Sequence, residues 1–297
     1  MGIDSAIDHL IDLAIAEDIG KGDVTTQALL PSTAEIAGKF LLKQAGIVAG
    51  LPFLKAIFLK IDPRIEVSLL VEEGSFQKAG TFLATISGPA QGILSGEKVA
   101  LNLIQHASGV ASVISAFVRK ISGCQCAILD TRKTLPGLRA LEKYAVKIGG
   151  GVNHRFRLDD RFIIKKNHLS FLDRNSLTYA IAKIKGKGLP IEVEIEDIQH
   201  LHEALQEDTV DTIMLSKMPP EDVKKCVEQI HARGKKAYFE SSAITLDTVR
   251  AYAETGVDGV SIGALILSVP ALDMGLRLFE QDKIEIRKKE KKHVINA

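Results

Sequence analysis

The sequence predicts a two-domain α/β protein, in which an α/β barrel follows an N-terminal α+β domain. Three observations lead there. The 297 residues are 46% hydrophobic and 25% charged, the make-up of an ordinary globular protein large enough for one big domain or two. From about residue 126 onward, short apolar runs alternate with helix-like segments, which implies parallel strands joined by helical crossovers. Before residue 95 the pattern differs, with short strands and turns around a single short helix.

The elements follow in order. The first twenty residues read as an amphipathic helix, because Asp4, Asp8, Asp12 and Glu17 interrupt the apolar positions. A signal peptide would need a basic start and an unbroken apolar run. Residues 37–42, 65–71 and 81–87 are partly alternating apolar runs, punctuated by Gly46, Gly50, Gly74, Gly80 and Gly88. Residues 52–59 read as a short helix, and 94–121 as a long one interrupted at Gly109. Six β-like runs come next, at 126–130, 161–165, 191–195, 212–215, 236–240 and 259–262. Helical patterns lie at 137–147, 173–185, 197–207, 220–233 and 246–255. That repeat count suits a closed barrel better than an open sheet. The expected division is an N-terminal domain over 1–111, rejoined by a C-terminal return over 272–297, and a barrel over 112–271.

Composition excludes several classes. A formal net charge of +1 gives no global attraction to nucleic acid or to an anionic membrane. The tail over 283–292 is basic but mixed with Glu and free of aromatics, so it reads as a helix end or frayed terminus. No stretch reads as long and apolar enough to span a bilayer, and the chain is expected to be cytoplasmic. Cys124, Cys126 and Cys226 are odd in number and lack zinc spacing, so they read as structural.

The chemistry gathers in residues 130–168, DTRKTLPGLRALEKYAVKIGGGVNHRFRLDDRFIIKKNH, where basic residues far outnumber acidic ones in an otherwise balanced chain. Such a local excess, broken by Gly and Pro, faces an anion. Each β-like run also ends in polar residues, where barrels hold their chemistry. Asp130 and Arg132 end the first, Lys165 and Asn167 the second, and Glu194 and Glu196 the third. Ser216 and Lys217 follow the fourth, Glu240 and Ser241 the fifth, and Gly263 the sixth. Arg132, Lys133, Arg139, His154, Arg155 and Lys165 can converge on several carboxylates or phosphates, Arg as a planar fork and Lys as a point charge. Arg139 also fits a plain helix surface. Glu192 and Glu194 share a strand face, where carboxylates can hold magnesium or stabilise a developing cation. The Gly149–Gly151 triplet is a weak signal for a phosphate nest.

Five segments together resemble one family: AEDIGKGDVTT (16–26), LNLIQHASGVAS (101–112), DTRKTLPGLRALEKYAVKIGGGVNHR (130–155), IEVEIE (191–196) and SVPALDMGLRL (268–278). The chain is similar to the quinolinate phosphoribosyltransferases, the carboxylating nicotinate-nucleotide pyrophosphorylases. The resemblance implies an incomplete TIM-like barrel of about six to seven strands beside an α+β N-terminal sandwich domain. It implies phosphoribosyl transfer from phosphoribosyl pyrophosphate to quinolinate, with decarboxylation to nicotinate mononucleotide, in NAD biosynthesis. It places quinolinate at Arg132, His154, Arg155 and Lys165, the phosphoribosyl donor at Lys133, and the ribose and magnesium near Glu194. It also implies a homodimer or higher even oligomer, in which Lys98 reaches the neighbouring subunit's barrel mouth. Ser241, Ser242 and Gly263 stand where the family has its phosphate turns. The chain departs from the pattern at Lys98 (usually Arg), Lys166 (usually Asp), Ser216 (usually Asp) and Lys217 (usually Asn), and its Ser241-Ser242-Ala243 turn is one residue short. The donor side is thus more cationic than the pattern, so Lys166 and Lys217 are expected to replace part of the magnesium's role. Two other readings fit the departures: a diverged paralogue acting on another small acid, and a catalytically weak binding or regulatory protein.

Overall fold

The computed structural model describes residues 4–172, 176–241, 244–263 and 266–280. In chain order the elements are α1 (Ser5–Ile19), α2 (Val24–Leu29), β1 (Glu35–Leu42), β2 (Gly46–Ile47), α3 (Leu51–Ile61), β3 (Glu66–Leu69), β4 (Phe76–Gln77), β5 (Phe82–Pro89) and α4 (Ala90–Lys120). They continue as β6 (Ala127–Leu129), α5 (Arg139–Ile148), β7 (Phe162–Ile164), α6 (Lys166–Ser170), α7 (Leu177–Ile184), β8 (Ile191–Ile195), α8 (Ile198–Leu205), β9 (Thr212–Ser216), α9 (Pro220–Ala232), β10 (Lys236–Ser241), α10 (Val249–Ala253), β11 (Gly259–Ile262) and β12 (Met274–Glu280). The chain forms two compact units, one of Met1–Ser112, Ala140–Gly149 and Val269–Ala297, the other of Val113–Arg139 and Gly150–Ser268.

The first unit is built on an antiparallel sheet in the order β12-β1-β5-β3. β1 is central because both its edges are taken, by β5 and by the C-terminal return β12, in register from Ile36–Glu280 to Leu42–Met274. The tail proposed at 283–292 lies outside the described residues. α3 begins after Gly50, whose φ of +92° suits glycine, and Pro52 sits in the first turn, where its missing N–H costs nothing. The Glu73 carboxylate accepts the free N–H groups of Gly50 at 2.6 Å and Leu51 at 2.9 Å, which caps the helix. Phe53, Leu54, Ile57 and Phe58 on α3 are buried, and Phe58 meets Phe40 of β1 at 6.2 Å between ring centres. Burying each of these side chains stabilises the unit by roughly 1.5–3 kcal/mol. The inserted segment of α5 is tied in by Tyr144, whose hydroxyl donates to Glu73 at 2.7 Å and whose ring lies 4.9 Å from Phe53.

α4 corrects one expectation. It contains an 18-residue window of mean hydropathy 1.4, long and apolar enough to cross a membrane by length and composition alone. That window is 56% buried, however, and Val99, Leu101, Ile104 and Ala107 are core residues, as in the central helix of a globular protein.

The second unit is a six-stranded, all-parallel sheet in the order β6-β11-β10-β9-β8-β7. Read around a circle, this is the chain order, with the last strand paired to the first, as in a barrel. Between β6 and β7 the chain passes through Val152, which makes a single parallel bridge to Leu129. Among the described residues the sheet therefore closes on one side through Val152 and is an incomplete barrel. The expected runs fall on the observed strands to within two residues. The short helix α6 was not foreseen.

Candidate active site at the strand ends

Period two along each strand sorts the side chains of this sheet. Val193, Ile213, Phe239, Val260 and Ile262 point to the buried apolar side, where α8, α9 and α10 pack. The alternate positions form the rows that carry the polar side chains. One row runs Glu194, Met214, Tyr238 and Gly259; the next holds Ser216, Glu240 and Ser261. The face shared by Glu192 and Glu194 is thus the polar one.

Two loops bring the cations to it. After β6, Asp130 is buried and its Oδ1 accepts the His154 N–H at 2.7 Å. Arg139 joins the loops: its guanidinium donates to the Thr134 hydroxyl at 3.0 Å, the Phe156 carbonyl at 3.2 Å and the Arg132 carbonyl at 3.3 Å. Arg139 is neither a free surface charge nor a free ligand here. It is a clamp that sets where Arg132 and Arg155 stand. Asp160 folds the second loop by accepting the N–H groups of Phe156 and Arg157, and these bonds hold its carboxyl below the ordinary range.

Arg132 and Arg155 lie close enough to repel one another, with Glu192 and Asp160 partly offsetting the repulsion at Arg155. The Arg132 Nε is buried without a partner. Arg155 donates to the Arg161 carbonyl at 3.1 Å, and burial first, then the Arg132 charge, lower its proton affinity. An orphaned buried N–H costs about 1–3 kcal/mol, more where the group is charged. His154 is placed differently: its Nε2 meets the Glu192 carboxylate at 2.9 Å, with Arg161 on the same oxygen at 2.7 Å. Burial pushes the Glu192 carboxyl up, but His154 and Arg161 outweigh it and hold the group below its ordinary value.

On the other side of the mouth, three lysines rest on three carboxylates. Lys165 meets Glu194 at 3.1 Å, Lys133 meets Glu240 at 3.4 Å and Lys217 meets Glu196 at 2.6 Å. Lys133 runs over Gly263, where an added Cβ would lie 2.5 Å from the ammonium. Lys217 has a φ of +57°, the one positive value on a non-glycine among the described residues. Such a conformation costs roughly 1–2 kcal/mol per residue. Ser216 is buried at the end of β9, and its hydroxyl has no partner. Lys166, exposed at the start of α6, joins Glu194 and Glu196 in lining a cavity of about 100 Å³.

These acids do not form a cage for a resident magnesium ion. Among the described residues no three His, Cys, Asp or Glu side chains gather as ligands, and Glu194, Glu196 and Glu240 each hold a lysine. A hard divalent cation wants six or more oxygens and is repelled by those ammonium groups.

The barrel unit carries Arg132, Lys133, His154, Arg155, Lys165, Lys166, Glu194, Ser216 and Gly263 on its strand ends and adjoining loops. Ser241 ends β10, and Ser242 lies outside the described residues. Lys98 belongs to the first unit, where it is exposed and pairs with Glu97 at 3.4 Å. Gly150, with φ +88°, follows the end of α5, so the glycine triplet stops a helix. Arg161 was missed; its only sequence signal was its place at the start of the second run. The cysteines are free, and burial pushes the Cys126 thiol up to about 12, which fits a structural role.

The fold and site define an α/β-barrel protein with cationic side chains at the ends of its strands. Residues 23–108 match the quinolinate phosphoribosyl transferase N-terminal domain, and residues 110–277 match the C-terminal domain. The chain belongs to the quinolinate phosphoribosyl transferase family. It is 39% identical to the probable nicotinate-nucleotide pyrophosphorylase [carboxylating] of Bacillus subtilis, over 90% of this chain and 91% of that one. It is 37% identical to the probable enzyme of the same name from Synechocystis, covering 92% of each. The crystal structure of the nicotinate-nucleotide pyrophosphorylase from Ehrlichia chaffeensis superposes with a TM-score of 0.86 at 33% identity, over 94% of this chain and all of that one.

Proposed function

We propose that this chain is a pentosyltransferase that makes nicotinate mononucleotide from quinolinate and phosphoribosyl pyrophosphate. The pyridine nitrogen bonds to C1 of the ribose as the C1–oxygen bond to pyrophosphate breaks. The carboxylate beside that nitrogen leaves as carbon dioxide, and a proton takes its place on the ring. The observation behind this reading is the pair Arg132 and Arg155, two guanidinium groups in mutual repulsion, one with a buried orphan N–H. A dicarboxylate answers both, and Arg offers each carboxylate a fork. Lys165 adds a third charge, and His154, seated on Glu192, borders the same loop.

The donor is proposed to lie across Lys133, Lys166, Ser216, Ser241, Ser242 and Gly263, with Glu194 facing the cationic ribose of the transition state. Magnesium is proposed to enter only as the counter-ion of the donor's own pyrophosphate, because Lys165 already holds Glu194. The protein is proposed to be cytoplasmic and to work as a homodimer whose Lys98 completes the partner's mouth. Family membership, with both domains matched, favours the enzyme over a mere binding protein.

The test is to follow carbon dioxide release from quinolinate labelled in the departing carboxylate. Release that needs phosphoribosyl pyrophosphate and yields nicotinate mononucleotide is expected. Quinolinate binding without turnover at any magnesium concentration would overturn the assignment in favour of a binding protein.

A further inference from the structure

Three features meet at the end of β9 and nowhere else among the described residues. Lys217 holds a left-handed backbone that side chains other than Gly and Asn rarely adopt. Strain of this kind persists where the surroundings fix it, and it gathers at ligand sites. Here it accompanies a 2.6 Å contact between the Lys217 ammonium and Glu196, at the end of the neighbouring strand. The lysine remains 73% exposed, so the pair is presented to solvent and to any ligand at the mouth. Beside it the Ser216 hydroxyl is buried and unpartnered, in the same row as Glu240 and Ser261. A buried hydroxyl without a partner marks an absent acceptor or donor.

The carboxylates close by cannot receive an anion. Glu194 and Glu196 repel one, and the lysines on them are what it would seek. A phosphate oxygen approaching Lys217 competes directly with Glu196. A pyrophosphate carries more charge than a single carboxylate, so it wins that exchange where an uncharged or singly charged ligand does not. The mouth then converts an internal ion pair into a contact with the ligand, with no metal needed to bridge two anions.

We infer that Ser216 and Lys217 form a subsite for the pyrophosphate end of the donor, in which the Lys217 ammonium leaves Glu196 for a phosphate oxygen and neutralises the leaving group without a protein-held divalent cation. The inference rests on the phosphoribosyl-transfer reading above for the identity of the ligand. Lys217 is a specificity-determining contact, and Glu196 is a positioning residue that holds it in reserve.

The experiment is calorimetric titration of the full chain with inorganic pyrophosphate, in EDTA and in magnesium. The parent is expected to bind in EDTA. Lys217→Asn keeps a residue suited to the left-handed backbone and removes the charge; it should weaken pyrophosphate binding in EDTA roughly tenfold or more. Ser216→Ala should weaken it several-fold. Glu196→Gln is the discriminating variant. It removes the competitor, so pyrophosphate should bind several-fold tighter, whereas a merely structural Glu196–Lys217 pair predicts weaker binding or none. Quinolinate titrations of the same variants should be unchanged, which shows that they remain folded. Pyrophosphate binding that is indifferent to Lys217→Asn, or that falls in Glu196→Gln, overturns the subsite. A parent that binds pyrophosphate in EDTA through Lys217 but releases no carbon dioxide overturns the reaction assigned above and leaves the subsite standing.

Discussion

Arg132 and Arg155 stand at the ends of loops that Arg139 and Asp160 hold shut, so their placement is a property of other residues' hydrogen bonds. Arg155→Ala should raise the quinolinate dissociation constant by the equivalent of about 2–5 kcal/mol, measured by titration calorimetry. An unchanged constant would remove Arg155 from the site. Gly263→Ala tests the opposite side of the mouth. The glycine's backbone is compatible with alanine, but the new methyl would meet the Lys133 side chain, whose flexible end can move. Thermal stability should change by less than about 1 kcal/mol while turnover falls, because only the ammonium position is disturbed. Equal turnover with an intact melting temperature would show that Lys133 does not work where it now rests.

At the scale of the element, the His154–Glu192–Arg161 cluster joins the loop before β7 to the inner face of β8. The Glu192 carboxyl is held below its ordinary value of 4.5, so its contribution to stability is fully present above that pH. It is lost as pH falls through the lower, folded-state value. Acid unfolding of the parent should therefore steepen below about pH 4.5, and Glu192→Gln should flatten that limb while lowering stability at neutral pH by roughly 3–5 kcal/mol. Urea melts across pH 3–7 read both effects; an unchanged acid limb would rule out Glu192 as the group. Helix α4 offers a second test. A Cβ at Gly109 would lie 2.3 Å from the Pro270 carbonyl, which is backbone and cannot swing away. Gly109→Ala should cost more than about 1–3 kcal/mol, despite alanine's better helix propensity. A stabilised variant would mean that the returning chain does not pack on α4.

At the scale of the whole molecule, the proposed sharing of Lys98 between subunits has a sharp consequence. Lys98→Ala and Arg155→Ala should each be nearly inactive alone. A mixed dimer pairs one intact mouth with one doubly damaged mouth, so random mixing of the two variants should restore about a quarter of parent activity. Mixing that restores nothing, with both proteins dimeric in sedimentation, would place Lys98 outside the partner's site.

The strand–helix alternation, the apolar rows of the barrel sheet and the basic block at 130–168 were legible in the sequence, because period two and local charge are written along the chain. The family followed from the motifs in the same way. What the tertiary structure decided is pairing. Nothing local to Arg139 says that its three partners lie in two different loops. Nothing local to His154 says that it will sit on Glu192, or to Arg161 that it will share the same oxygen. The bridge at Val152 and the membership of the α5 segment in the N-terminal unit also needed the fold. Sequence determined which residues are cationic and which strands carry them. Only the folded chain decided which cations are matched by carboxylates and which are not, because a charge's partner is set by distance in space and not by distance along the chain.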